Sequence, residues 1–142
     1  MLTFGHDSNQ SMDKVHEHSI FEIWTSGLSF SQSLLGIDWP SCLCLLSTGG
    51  FNQSLQNVCL PSGLHSLVLG DHLDRFGGFN LSLQNVCLPC GLRTLHQGIR
   101  FDQCLDRVRL PDDLETLNFG DWDDKPRKRR LLSSQSVSGF SG

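Results

Sequence analysis

Six cysteines stand in this 142-residue chain, and two close pairs among them have the spacing of metal ligands: Cys87 and Cys90 form a Cys-x-x-Cys, and Cys42 and Cys44 lie one residue apart. Four thiolates gathered from two such pairs would meet the tetrahedral preference of zinc. A close thiol pair is equally the working unit of a redox module. His16 and His18 flank Glu17 and offer nitrogen ligands, while His65 or His96 could serve as the base for a cysteine nucleophile. Each of these readings lacks a part. The histidine pair has no third ligand beside it, and a Cys–His dyad needs an orienting group converging on it in a cleft.

The positions of these residues follow a repeat. Phe30, Phe51, Phe79 and Phe101 each precede a proline by ten residues, at Pro40, Pro61, Pro89 and Pro111. Between these anchors come Leu34, Leu55, Leu83 and Leu105, then Ile37, Val58, Val86 and Val108, then Trp39, Leu60, Leu88 and Leu110. After the proline come Leu43, Leu64, Leu92 and Leu114, then Leu46, Leu67, Leu95 and Leu117, and a glycine at Gly49, Gly70, Gly98 and Gly120. A degenerate copy lies upstream, with Ser8, Met12, Val15, His18, Phe21, Trp24 and Gly27 in the same places. In this register Cys59 and Cys87 share one position, Cys90 replaces Ser62, Cys104 replaces Ser54 and Ser82, and Cys42 replaces Gly63. Small residues at small-residue positions explain the cysteines without a metal, and no catalytic, cofactor-binding or metal-ligating residue is assigned.

The intervals dictate local structure. Val-x-Leu before the proline alternates with period two and predicts a short half-buried strand, which the proline ends because it lacks an N–H. A second extended segment, such as residues 114–119, runs to the glycine, whose freedom at positive φ suits a corner. One coil cannot bury its own apolar face, so each Phe, Leu and Val must stack on its counterpart in the next coil. The polar residue after each Phe (Asn9, Ser31, Asn52, Asn80, Asp102) is expected to bond backbone groups at the turn.

The run Phe51-Asn52-Gln53-Ser54-Leu55, continued by Val58-Cys59-Leu60-Pro61-Ser62-Gly63-Leu64 and Leu67, resembles the FNIP-type and BspA-like varieties of the leucine-rich repeat. Their pattern is close to Leu-Pro-x-x-Leu-x-x-Leu-x-Phe-Gly-x-x-Phe-Asn. The resemblance covers residues 2–122. It implies a mainly β, leucine-rich-repeat-like solenoid of about five stacked coils with short parallel strands. The degenerate first coil spans residues 8–29, and later coils begin at 30, 51, 79 and 101. The sequence departs from the pattern in three ways: the first coil has lost Phe and Pro, eight residues separate Gly70 from Phe79, and neither end shows a capping motif. Uncapped ends favour self-association, and the eroded first coil also fits a truncated repeat segment.

Proteins of this kind serve as interaction scaffolds, so the resemblance implies a non-enzymatic protein that takes no cofactor and binds a protein partner. The expected binding face is formed by columns of variable residues: Glu22, Cys44, His65, Arg93 and Glu115, and beside them Thr25, Ser47, Val68, His96 and Asn118. Asp71, His72, Asp74 and Arg75 belong to the longer segment after Gly70, which predicts a binding loop. The competing reading is a cysteine-based metal or redox module using Cys42, Cys44, Cys87 and Cys90.

Composition bounds the remaining classes. A formal charge of −4 argues against nucleic acid, whose phosphates require a basic surface. The apolar run at residues 43–46 is far too short to cross a bilayer, and the residues after Met1 do not form a signal peptide. An intracellular protein with reduced thiols is expected, cytoplasmic or nuclear, with no membrane partner. Residues 123–142 form a basic, serine-rich tail expected to be disordered, and Lys125, Arg127, Lys128, Arg129 and Arg130 resemble a nuclear-localisation run. A metal-free solenoid predicts a β-rich circular dichroism spectrum and one cooperative thermal melt that a strong chelator leaves in place. A melt lost on chelation would assign the cysteines to a metal.

Overall fold

A computed structural model describes residues 2–3, 22–26, 32–70, 79–98, 101–103, 105 and 107–118. Six short strands form one parallel sheet in chain order: β1 (Leu2–Thr3), β2 (Ile23–Ser26), β3 (Leu45–Thr48), β4 (Ser66–Leu69), β5 (Thr94–Gln97) and β6 (Thr116–Asn118). The chain makes about four turns of a β-solenoid from β2 to β6, and β1 pairs with β2 on the far side. No helix occurs among the described residues. The degenerate stretch at 4–21, the loop at 71–78 and the tail from 119 onward lie outside the described residues.

The register follows the leucine positions: Trp24 pairs with Leu46, Leu46 with Leu67, Leu67 with Leu95, and Leu95 with Leu117. All five are buried, as are Leu43, Leu64, Leu92 and Leu114, each three residues before the strand leucine of its coil. The other side of the core is built from Leu34, Leu55, Leu83 and Leu105, with Val58, Val86 and Val108. The Phe51 and Phe79 rings lie parallel with centroids 6.1 Å apart, and Phe79 and Phe101 follow at 6.3 Å. Between the first two coils Trp24 meets Trp39 edge to face at 5.8 Å.

Two turns per coil close this cross-section. After each proline, the N–H of Leu43, Leu64, Leu92 or Leu114 donates to the proline carbonyl three residues back, at 3.1 Å in every coil. On the opposite side Val58, Val86 and Val108 donate to Leu55, Leu83 and Leu105 at 3.1–3.2 Å. The third residue of that turn has positive φ in two coils, Asn57 at 62° and Asn85 at 63°, and Gly36 holds the equivalent place in the coil before them at 76°. Glycine and asparagine are the residues that tolerate this geometry at low cost. Ser33, Ser54 and Ser82 brace the same turn by accepting from the N–H of Leu35, Gln56 and Gln84.

Two expectations are corrected. The Val-x-Leu segment before the proline is not a strand; among the described residues the strands of these coils lie after it. The valine N–H is spent on the turn to the leucine, and the proline offers none, so no ladder can form there. In the column after the phenylalanines, Asn9 and Ser31 lie outside the described residues, and Asn52 and Asn80 bond backbone as expected, but to the next coil. Asn52 Oδ1 accepts from the Asn80 N–H at 3.0 Å, and Asn80 Oδ1 accepts from the Asp102 N–H at 2.8 Å and from Gln103 Nε2 at 3.2 Å.

Phe79 lies between two rings, so Phe79→Ala should lower stability by about 3–5 kcal/mol, measured by urea denaturation. Asn85→Ala forces an alanine into positive φ and should cost about 1–2 kcal/mol, with Asn85→Gly nearly neutral. Equal costs for the two Asn85 variants would show that the side chain and not the backbone angle is what matters.

Candidate functional site

Alternation along each strand decides what reaches the surface of the sheet. In β2 to β5 the second and fourth residues are buried and the first and third half-buried. The outward residues are therefore Ile23, Leu45, Ser66, Thr94 and Thr116 in one column and Thr25, Ser47, Val68, His96 and Asn118 in the next. Sequence reasoning found the second column and missed the first. The signal was available, because the two neighbours of an inward leucine on a strand must both point outward.

A third column precedes the strands. Glu22, His65, Arg93 and Glu115 are exposed and Cys44 is half-buried. Backbone bonds fix its spacing: the Glu22 carbonyl accepts from the N–H groups of Cys44 and Leu45 at 2.8 and 3.1 Å, and the carbonyls of Cys44, His65 and Arg93 each accept two N–H groups from the next coil in the same way. Cys44 Sγ also donates to the Glu22 carbonyl at 3.3 Å. The columns are thus held at β-sheet spacing, about 4.8 Å from coil to coil, and cannot spread without breaking the ladder.

The character of the face changes along the sheet. Ile23, Leu45 and Val68 make its early part apolar, while Thr94, His96, Thr116 and Asn118 make its later part polar. The bordering column reads acid, thiol, imidazole, guanidinium, acid from Glu22 to Glu115. Such a surface offers hydrogen-bonding groups and modest apolar contact over several coils. At its far margin Gly70 has φ of 89°, and a Cβ there would lie 3.3 Å from Gly98 Cα, so successive coils approach closely where the sheet ends.

The remaining candidates disperse. Among the described residues no group of three or more His, Cys, Asp or Glu side chains is placed to hold a metal ion. Cys42 and Cys44 belong to the coil of Pro40, and Cys87 and Cys90 to that of Pro89, with the Pro61 coil between them. Cys42 and Cys90 are exposed in turns. Asp71, His72, Asp74 and Arg75 lie outside the described residues, as do His16, His18, Cys104 and the basic run at 125–130.

Neighbouring positions on one strand should respond oppositely to substitution. Leu67→Ala should cost about 2–5 kcal/mol by opening the core, whereas Val68→Thr on the outward face should change stability by less than about 1 kcal/mol. Thermal melts of the two variants would check the assignment.

Comparison with known proteins agrees with this geometry. Residues 79–121 match the profile of the FNIP repeat. A solved circular leucine-rich-repeat protein, CroV588, is similar to the chain at 32% identity with a TM-score of 0.63, covering 83% of this chain. The chain spans 17% of the length of that protein. No curated protein matches it. The chain is a leucine-rich-repeat solenoid protein of the FNIP type.

Proposed function

We propose that the chain is a non-enzymatic scaffold that binds another protein across the outward face of its parallel sheet. The observation that carries this reading is the face itself: two columns of half-buried residues and a bordering column of mixed acid, thiol, imidazole and guanidinium groups, repeated at fixed spacing from β2 to β6. A rigid array of this kind is ordered before binding, so association costs little further conformational entropy in the scaffold. Its mixed chemistry suits a polypeptide, which presents apolar and polar groups at comparable intervals. A small molecule would call for a concave pocket with a few convergent polar groups.

Within the face, Val68 and His96 are register neighbours on β4 and β5, with His65 and Arg93 bordering them. These four residues form the centre of the proposed contact, between the apolar and polar parts. Glu22, Thr25 and Ser47 would extend it on one side and Glu115 and Asn118 on the other. Residues at the centre of an interface carry most of its energy.

Affinity capture followed by quantitative mass spectrometry would compare the wild-type chain with Val68→Glu/Arg93→Glu and with Gln56→Glu/Gln84→Glu on the opposite side. A partner retained by the opposite-side variant and depleted at least about tenfold by the face variant, equivalent to about 1.4 kcal/mol, is the expected result. Equal retention by both variants would place binding elsewhere on the molecule.

A further inference from the structure

We infer that Cys59 and Cys87 form a reversible dithiol–disulfide couple that fastens two successive coils. Both thiols are free and exposed, and each follows the buried valine that ends an identical turn. The two turns match closely: Val58 donates to Leu55 at 3.2 Å and Val86 to Leu83 at 3.1 Å, with φ of 62° at Asn57 and 63° at Asn85. Cys59 and Cys87 therefore leave equivalent backbones on the same side of adjacent coils. Those coils are held together on either side of this column. The Phe51 and Phe79 rings stack at 6.1 Å, and the Arg93 N–H reaches the His65 carbonyl at 2.8 Å. The spacing between these coils, about 4.8 Å along the sheet and 6.1 Å between the Phe51 and Phe79 rings, lies inside the range of about 4.4–6.8 Å between Cα atoms that a disulfide spans.

A second observation concerns access. Cys87 lines a groove between its own coil and the next, together with Asn85, Val86, Leu88, Arg107 and Arg109. Arg107 and Arg109 are exposed on one wall, and among the described residues neither guanidinium has a hydrogen bond or ion pair. The groove thus places two cations beside a thiol, a setting suited to a low-molecular-weight disulfide that carries carboxylates, of which oxidised glutathione is the type.

The chemistry balances with that oxidant. The Cys87 thiolate attacks one sulfur of the small disulfide, expelling one thiolate and leaving a mixed disulfide on Cys87. The Cys59 thiolate then attacks Cys87 Sγ, forming the Cys59–Cys87 bond and expelling the second thiolate. The protein loses two electrons and two protons, and the small disulfide gains them as two thiols. Excess small thiol reverses both steps.

The test treats the reduced full-length chain with oxidised glutathione, blocks remaining thiols, and maps linkages by fragment-resolved mass spectrometry without reduction. The expected result is a Cys59–Cys87 link, a mass lower by two hydrogens before blocking, a higher melting temperature, and full reversal by excess reduced glutathione. Cys59→Ser should instead hold a persistent glutathione adduct on Cys87. A variant with Cys42, Cys44, Cys90 and Cys104 replaced by serine should still form the link, and the wild-type mapping decides the matter if that variant does not fold. Links among other cysteines, or stable adducts on both Cys59 and Cys87 with no link, would overturn the couple. Arg107→Gln/Arg109→Gln should slow reaction with oxidised glutathione about threefold or more, and leave the rate with uncharged 2-hydroxyethyl disulfide unchanged. Equal effects on the two reagents would overturn the role given to the groove.

Discussion

Nothing within its own coil pairs with the Leu67 side chain along the sheet; its register neighbours are Leu46 in the coil before and Leu95 in the coil after. The same holds for Phe79 between Phe51 and Phe101. A coil of about 22 residues is too small to have an inside, and the apolar side chains it directs inward are covered only when another coil is laid on top. Stacking in register is the constraint on which the rest depends. It requires each coil to repeat the same cross-section, and so it requires the same two turns, the same inward leucines and the same backbone bonds at each level.

That constraint explains which positions are held and which are free to vary. The inward positions are Leu, Val or Phe in nearly every coil, and the turns with positive φ carry glycine or asparagine, at Gly36, Asn57 and Asn85. Polar groups that cannot be avoided at the coil edge are used between coils: Asn52 and Asn80 direct side-chain oxygens at the next backbone, and Thr48 Oγ1 donates to the Val68 carbonyl at 3.1 Å. Gln97 is an exception, fully buried at the end of β5 with neither amide atom hydrogen-bonded. The preceding coils have Thr48 and Leu69 at its place, and no physical account of the longer side chain follows from the described surroundings. The outward positions carry no such demand. Val68, His96 and Asn118 differ in chemistry from coil to coil because their side chains leave the inward-packed core to the alternate residues of the strand.

The proposed binding face and the proposed thiol couple are both products of stacking. Neither exists in one coil. The face requires several outward pairs at sheet spacing, and the couple requires two cysteines 28 positions apart to occupy one column. They lie on different sides of the cross-section, the face on the strands after the proline and the thiols on the segment before it.

Much of this was legible in the sequence. The interval from Phe to Pro, the inward leucines and valines, and the order of the coils follow directly from residue spacing, because burial selects for apolar side chains at whatever period the backbone imposes. Two things were not legible. Alternation in Val58-Cys59-Leu60 looks like a strand, yet the pattern records only which side chains face inward, and hydrogen bonding is decided by where the backbone N–H groups find partners. Those of Val58 and its equivalents find them inside the turn. The direction of the Asn52 and Asn80 bonds was also hidden, since a short polar side chain beside a turn can serve its own coil or the next. The sequence by itself therefore determined the repeat, the core and the parallel stacking. Only the tertiary structure decided which edge of each coil carries the ladder, and which surface residues stand side by side, because both depend on the separation between coils and not on the order of residues within one.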